Sequence, residues 1–186
     1  GGAASRAAAI SSIEVKNGGT ISLQNVKILK QKGSGNNIVN SRSGEVAILD
    51  DTGRERERYK IPYGAILTVN NEEKVESGQQ IASWDPHTHP VISEVDGKAL
   101  FSDIAEGATV ARYTDDITGL TDTVIMDPQQ RPSNAKDMRP VVKLVDAKGD
   151  ELKIPGTDHD AHYLLPPRAI INVSDGKEVN IGDVIA

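Results

Sequence analysis

The sequence has no cysteine. That removes disulfides, iron–sulfur clusters, thiolate zinc sites and cysteine nucleophiles in one step. Aromatic residues are 3% of the chain, with a single Trp and a single Phe, too few for a surface built to stack exposed bases. Positive charge is the minority: 21 Lys and Arg stand against 27 Asp and Glu, a net charge of −6. A chain of that balance does not coat nucleic acid electrostatically. No apolar run approaches the ~18 residues a membrane helix needs. The opening stretch GGAASRAAAISS carries an Arg but no apolar segment, so it does not read as a secretory signal. The expectation is a soluble, cytoplasmic chain with no membrane contact.

What is present points to β-structure. Val and Ile together number 34 against 10 Leu, with 17 Gly and 9 Pro. β-Branched side chains are stiff at χ1 and suit a pleated surface, and Gly and Pro punctuate turns. The class is all-β. At 186 residues the chain is one or two domains long and buries roughly 70% of its unfolded surface.

The chain also repeats itself. Residues 59–82, YKIPYGAILTVNNEEKVESGQQIA, align without a gap on residues 163–186, YLLPPRAIINVSDGKEVNIGDVIA, and nine of the 24 positions are identical. Upstream, VAILDDTGRE (46–55) resembles VKLVDAKGDE (142–151), and GTISLQNV (19–26) echoes GKALFSDI (97–104). An internal duplication of one β-module follows. The expected division is 1–11 as a flank, 12–84 as the first module, 85–90 as a crossover and 91–186 as the second module. Pro86 and Pro90 suit the crossover because they remove ladder donors.

Within each copy, residues 46–49 and 142–145 read as strands followed by Asp-rich, Gly-ended turns. Residues 65–69 and 169–173 read as short buried strands. The V-x-x-G-x-x-I-A endings (75–82 and 179–186) read as tight turns feeding a core strand. Residues 33–40 and 127–137 read as polar loops. Helix is confined to the Ala-rich first ten residues.

Several groups could carry chemistry. His87 and His89 share a face if the segment is extended, and His159 and His162 lie beside Asp158 and Asp160. Either pair could offer two ligands to a transition metal, but a site needs three or four with a second shell. No metal site is assigned. Alternation along Arg54-Glu55-Arg56-Glu57-Arg58-Tyr59-Lys60 puts Arg54, Arg56, Arg58 and Lys60 on one strand face and the glutamates on the other. That stripe is a candidate partner-contact surface, or a charged edge strand that resists sheet-to-sheet pairing. Trp84 is expected to fill a space between the modules. No serine has a nucleophile-elbow setting, and Asp50-Asp51 and Asp115-Asp116 lack calcium-loop spacing.

Two resemblances follow from the motifs. The V-x-x-G-x-x-I-A turn and the Glu94-Val95-Asp96-Gly97-Lys98 segment resemble half of a barrel–sandwich hybrid domain. In biotinyl and lipoyl carriers of that type a lysine sits at the tip between the halves, whereas Ser83 to Pro90 contains none. The carrier reading therefore fails on chemistry. A fuller match runs along nearly the whole chain: GGAASRAAA (1–9), YKIPYGAIL (59–67), WDPHT (84–88), Arg139-Pro140, IPGTD (154–158) and the GDVIA ending. Together they resemble the largest, beta-prime, subunit of bacterial RNA polymerase, in the lineage-specific insertion that interrupts its trigger loop.

That resemblance implies two tandem sandwich–barrel hybrid modules, in agreement with the duplication. It implies that Gly1, Gly2, Ala3, Ala4, Ser5 and Arg6 flank the trigger-loop helix. The nucleotide-contacting residues of that helix, and the aspartate motif that holds catalytic magnesium, have no counterpart in this sequence. The segment itself would be non-catalytic and without a cofactor, with the parent's magnesium and zinc bound elsewhere. Its partners would be the rest of beta-prime and the beta, alpha and omega subunits, with downstream DNA nearby, and alone it would be a monomer. The Gly start and the Ala186 end read as those of an excised piece. The competing readings are a free-standing barrel–sandwich binding or carrier-like module and a histidine-based metallohydrolase.

Overall fold

The computed structural model describes residues 10–186. Strands dominate, and among the described residues no helix is long and apolar enough to cross a membrane. The chain forms two compact units, one ending at Pro90 and the other Val91–Ala186. The flank Gly1 to Arg6 and the Ala-rich helix expected there lie outside the described residues.

The first unit holds β1 (Ser11–Glu14), β2 (Gly19–Gln24), β3 (Ile28–Lys30), β4 (Asn37–Val39), β5 (Glu45–Leu49), β6 (Glu55–Lys60), β7 (Ile66–Leu67), β8 (Lys74–Val75) and β9 (Gln80–Trp84). They form two sheets, ordered β6-β5-β2-β8 and β1-β9-β7-β4-β3. β5 is interior to its sheet, which is why Val46, Ala47 and Ile48 form an unbroken buried run instead of alternating. β2 pairs with it from Thr20↔Leu49 to Gln24↔Glu45. Ile21, Val46, Ile48, Ile61, Leu67 and Ile81 pack into one core. The turn from β5 to β6 is closed by Asp50, whose carboxylate accepts the N–H of Thr52 and of Arg54, with Gly53 at φ +85°.

The second unit holds β10 (Gly97–Ser102), β11 (Val110–Thr114), β12 (Thr121–Ile125), β13 (Val141–Val145), β14 (His162–Leu164) and β15 (Glu178–Val179). Its main sheet is ordered β14-β13-β10-β15, strand for strand the order of the first unit's four-stranded sheet. The registers correspond as well. Leu23↔Val46 and Val46↔Tyr59 in one unit answer Phe101↔Val142 and Val142↔Tyr163 in the other. Gly19↔Val75 answers Gly97↔Val179. Asp146 closes its turn as Asp50 does, accepting from Lys148 and Asp150. Two non-glycine residues at positive φ also fall in step, Asn25 at +55° and Asp103 at +56°.

The units differ in their second layer. Where the first unit has five strands, the second has a two-stranded ribbon, β11–β12, with single bridges Ile92↔Val184 and Val124↔Ile170. The polar stretch 127–137 contains two short 3-10 turns, Pro128–Gln130 and Ser133–Ala135. They are organised around Arg131, which is only 6% exposed. Its guanidinium donates to the carbonyls of Met126 and Met138. The expected loop 33–40 ends in a strand instead, because Ile38 and Val39 are buried and pair with Leu29 and Ile28. The strand expected over 65–69 shortens to Ile66–Leu67. Trp84 ends β9 opposite Ser11 and is packed, half-buried, against the first unit's core.

Candidate functional site

The basic stripe lies on β6, an edge strand. Arg54, Arg56, Arg58 and Lys60 are all exposed, but the alternation that placed the glutamates on the far side is broken. Ile48 pairs with Glu57 and Leu49 with Glu55, so Arg56 is an extra residue in the ladder. Such a bulge re-aims the side chains that precede it. Glu55 comes round to Arg58, with its Oε1 2.6 Å from Nε. Arg58 also donates to Glu45 at 3.1 Å and to Gln24 at 2.8 Å, and Arg56 donates to the Gly18 carbonyl at 2.7 Å. Two of the four cations are thus engaged within the unit.

Glu57, on the partly buried face, accepts the N–H of Lys16 and of Asn17, each at 2.9 Å, and the Tyr59 hydroxyl. Burial pushes the Glu57 carboxyl up, but these hydrogen bonds outweigh it and leave it below the ordinary glutamate range. Tyr59 is pushed up to about 12, by its bond to Glu57 first and then by burial. The β6 surface is therefore a mixed-charge edge. Such an edge resists pairing with another sheet, and Arg54 and Lys60 are exposed on it.

The histidines separate into different settings. His87 and His89 sit in an exposed turn whose Asp85 accepts the N–H of His87 and the hydroxyl of Thr88, not on a strand. His159 is exposed in the loop before β14. His162, on β14, joins Asp160, its neighbour in sequence, and Glu151, which sequence spacing did not connect with it. Ligand atoms of Glu151, Asp160 and His162 lie within 4.8 Å of one another, and these are the residues that could hold a metal. Yet each carboxylate already has an ammonium beside it. Lys143 is 3.5 Å from Glu151, Lys153 is 3.0 Å from Asp160, and His162 Nε2 is 3.0 Å from Glu151. The bond from Lys153 holds the Asp160 carboxyl below the usual range. A divalent ion would have to displace both lysines, so the geometry is that of an ion-pair network tying β13 to β14.

The sequence reading missed the β11–β12 ribbon as a surface. Its base is in the core through Val110 and Ile125, whereas its outer half stands in solvent with Tyr113 62%, Ile117 96% and Leu120 70% exposed. The available signal was an Ile and a Leu inside the polar stretch Thr114 to Thr123, where alternation alone does not tell a core-facing residue from a displayed one.

No family model matches the chain. Across all 186 residues it is 54% identical to DNA-directed RNA polymerase subunit beta' of Pseudomonas aeruginosa, 53% identical to that of Cellvibrio japonicus and 52% identical to that of Stutzerimonas stutzeri. In each case the alignment covers 100% of this chain and 13% of the relative. The chain thus spans about an eighth of the length of the curated relatives it matches.

Proposed function

We propose a function from one premise: the chain belongs to the beta-prime subunits of DNA-directed RNA polymerase, as a segment of them. The role is that of a non-catalytic insertion, built of two copies of one sandwich–barrel module, that moves with the trigger loop and modulates elongation, pausing and transcript cleavage. The observation that carries it is 52–54% identity, taken over all 186 residues, to proteins of that name. The nucleotidyl transfer belongs to the parent enzyme, whose magnesium and zinc bind outside this segment. The residues on this chain supply surface, not reacting groups.

A trigger loop must close over each incoming nucleotide, a gating step of the lid type. A domain carried on that loop biases the step only through contacts it makes better in one state than in the other. A differential of ~1.4 kcal/mol changes the open-to-closed ratio tenfold. Surface ion pairs of the β6 kind supply ~0.2–1 kcal/mol each, so two at the top of that range, or several weaker ones, are enough. The partners in this reading are the remainder of beta-prime, with its jaw and rim, and the beta, alpha and omega subunits, in the cytoplasm with downstream DNA close by.

The test is the size and company of the native polypeptide. Antibody raised to this 19.9 kDa chain should detect, in source-cell lysate, a band several-fold heavier that co-purifies with RNA polymerase activity. A band at the mass of the chain alone, separating from that activity, would mean a free-standing binding module and end the proposal.

A further inference from the structure

β11 and β12 pair from Val110↔Ile125 to Thr114↔Thr121, so the two faces of the ribbon can be assigned from register. Val110, Thr114, Thr121 and Ile125 share the face that enters the core, and the Thr114 and Thr121 hydroxyls meet at 3.0 Å on its outer part. The opposite face carries Tyr113 and Leu120 as diagonal neighbours, with Asp122 directly across from Tyr113. In the outer half of the ribbon the face turned away from the core is therefore the more apolar one, with Tyr113 and Leu120 against Arg112, Thr114, Thr121 and Thr123 on the other, the reverse of what solvation alone selects.

The tip is held rigidly in this arrangement. Asp115 N–H donates to the Leu120 carbonyl at 2.9 Å, and Gly119 N–H to the Asp115 carbonyl at 2.8 Å, with Gly119 at φ +71°. The Asp115 carboxylate accepts the N–H of Ile117 at 2.8 Å and of Thr118 at 3.1 Å. These two bonds, Thr118's first, hold that carboxyl below its ordinary range. A braced turn leaves Ile117, 96% exposed, no route to fold back on its own ribbon. The ribbon is anchored at its base by Val110 and Ile125 in the core and by backbone bonds from Ile125 to Ala169 and from Ile171 to Thr123, and the apolar residues displayed at its far end form a surface suited to a covering partner.

We propose that this arm is a docking knob. Ile117 at its tip and Tyr113 and Leu120 on its outer face enter an apolar notch, rimmed by Lys or Arg, on another surface of the same polymerase. The proposal rests on the function proposed above and deepens it by naming the contact. Charge selects the rim: Asp116 and Asp122 stand exposed beside the apolar residues, which disfavours DNA phosphate and favours a basic border. Area selects a tethered partner. Three side chains of this kind bury on the order of 400 Å², about half of the ~800 Å² per partner found in stable free complexes. Such a contact holds only at the roughly millimolar effective concentration that linkage within one assembly provides, and the relatives of this chain are about eight times its length.

The test places a photo-crosslinking p-benzoylphenylalanine at Ile117 in the full-length subunit of the assembled polymerase, with adducts mapped by mass spectrometry. The expected result is an adduct on another polymerase segment whose neighbours are apolar and basic. Its yield should fall at least fivefold when Leu120→Ser or Asp116→Lys is added, and by less when Thr123→Ser is added on the other face. These positions are exposed or half-exposed, so thermal unfolding of the variants should match wild type, which separates lost docking from lost folding. An adduct on DNA, an adduct on a second copy of the subunit, or no polymerase adduct at all would overturn the knob while leaving the polymerase assignment intact. Failure of the tagged subunit to co-purify with polymerase would overturn both.

Discussion

Gly19 and Gly97 occupy corresponding positions at the start of β2 and β10, but what surrounds them differs, and that difference predicts unequal costs for one substitution. A Cβ built on Gly19 lies 2.4 Å from the Leu49 carbonyl oxygen and 2.8 Å from Ile48 Cγ2. The Leu49 carbonyl is fixed in the β2–β5 ladder and cannot withdraw without breaking it. On Gly97 the closest atom is Leu152 Cδ1 at 2.7 Å, followed by the Val145 carbonyl at 3.1 Å, and a leucine tip can rotate aside. Overpacking costs ~1–3 kcal/mol, so Gly19→Ala belongs at about 3 kcal/mol and Gly97→Ala at about 1 kcal/mol. Replacing glycine also narrows the unfolded ensemble and returns ~0.4–1 kcal/mol in each case. The net expectation is about 2 kcal/mol lost for Gly19→Ala and close to zero for Gly97→Ala. The single Trp, packed on the first unit's core, reports on Gly19 directly by fluorescence in a urea titration, and circular dichroism follows the whole chain. In a unit of this size the Gly19→Ala loss corresponds to roughly 10 °C in Tm. Equal midpoints for the two variants, or a larger loss for Gly97→Ala, would refute the packing argument.

Other consequences can be measured in the same way. Arg131→Met should leave the Met126 and Met138 carbonyls without their donor and cost about 1–3 kcal/mol, read as a lower urea midpoint; an unchanged midpoint would show that the 126–138 loop does not depend on the guanidinium. Because the folded Glu57 carboxyl sits below its ordinary value of 4.5, its contribution is present above pH 4.5 and is lost as pH falls through the folded value. Tyr59, raised from 10.0 to about 12, contributes fully below pH 10 and loses that contribution as pH rises through 12. Tyr59→Phe should therefore flatten the decline in urea midpoint between pH 10 and 12, and a decline as steep as wild type would contradict the bond to Glu57. Arg58→Ala, on the exposed edge, should cost less than ~1 kcal/mol, and a larger loss would show the β6 ion pairs to be structural rather than surface contacts.

The strands that were legible are those whose burial leaves a pattern in sequence. Val46 to Leu49 reads as a strand because an interior strand is apolar throughout, and the Asp50 and Asp146 turns are readable because carboxylate capping and a following Gly have local signatures. What escaped depends on contacts distant in sequence. The bulge at Arg56 is set by register against β5, so alternation put Glu55 on the wrong side of β6. Arg131 looks like a solvated arginine in a polar run, and only the folding of 126–138 around it makes it a buried donor. Glu151 meets the Asp160–His162 pair across a hairpin that no fixed spacing announces. Ile117 and Leu120 carry the apolar signature of core residues although the ribbon holds them in solvent.

The central claim is that this chain tunes nucleotide addition without taking part in it. The most direct measurement is single-turnover elongation and pausing by an RNA polymerase whose beta-prime subunit lacks residues 10–186, beside the intact enzyme on the same templates. The account predicts that nucleotide addition persists while pause lifetimes shift by severalfold. Loss of all addition, or unchanged kinetics at every template position, would contradict it.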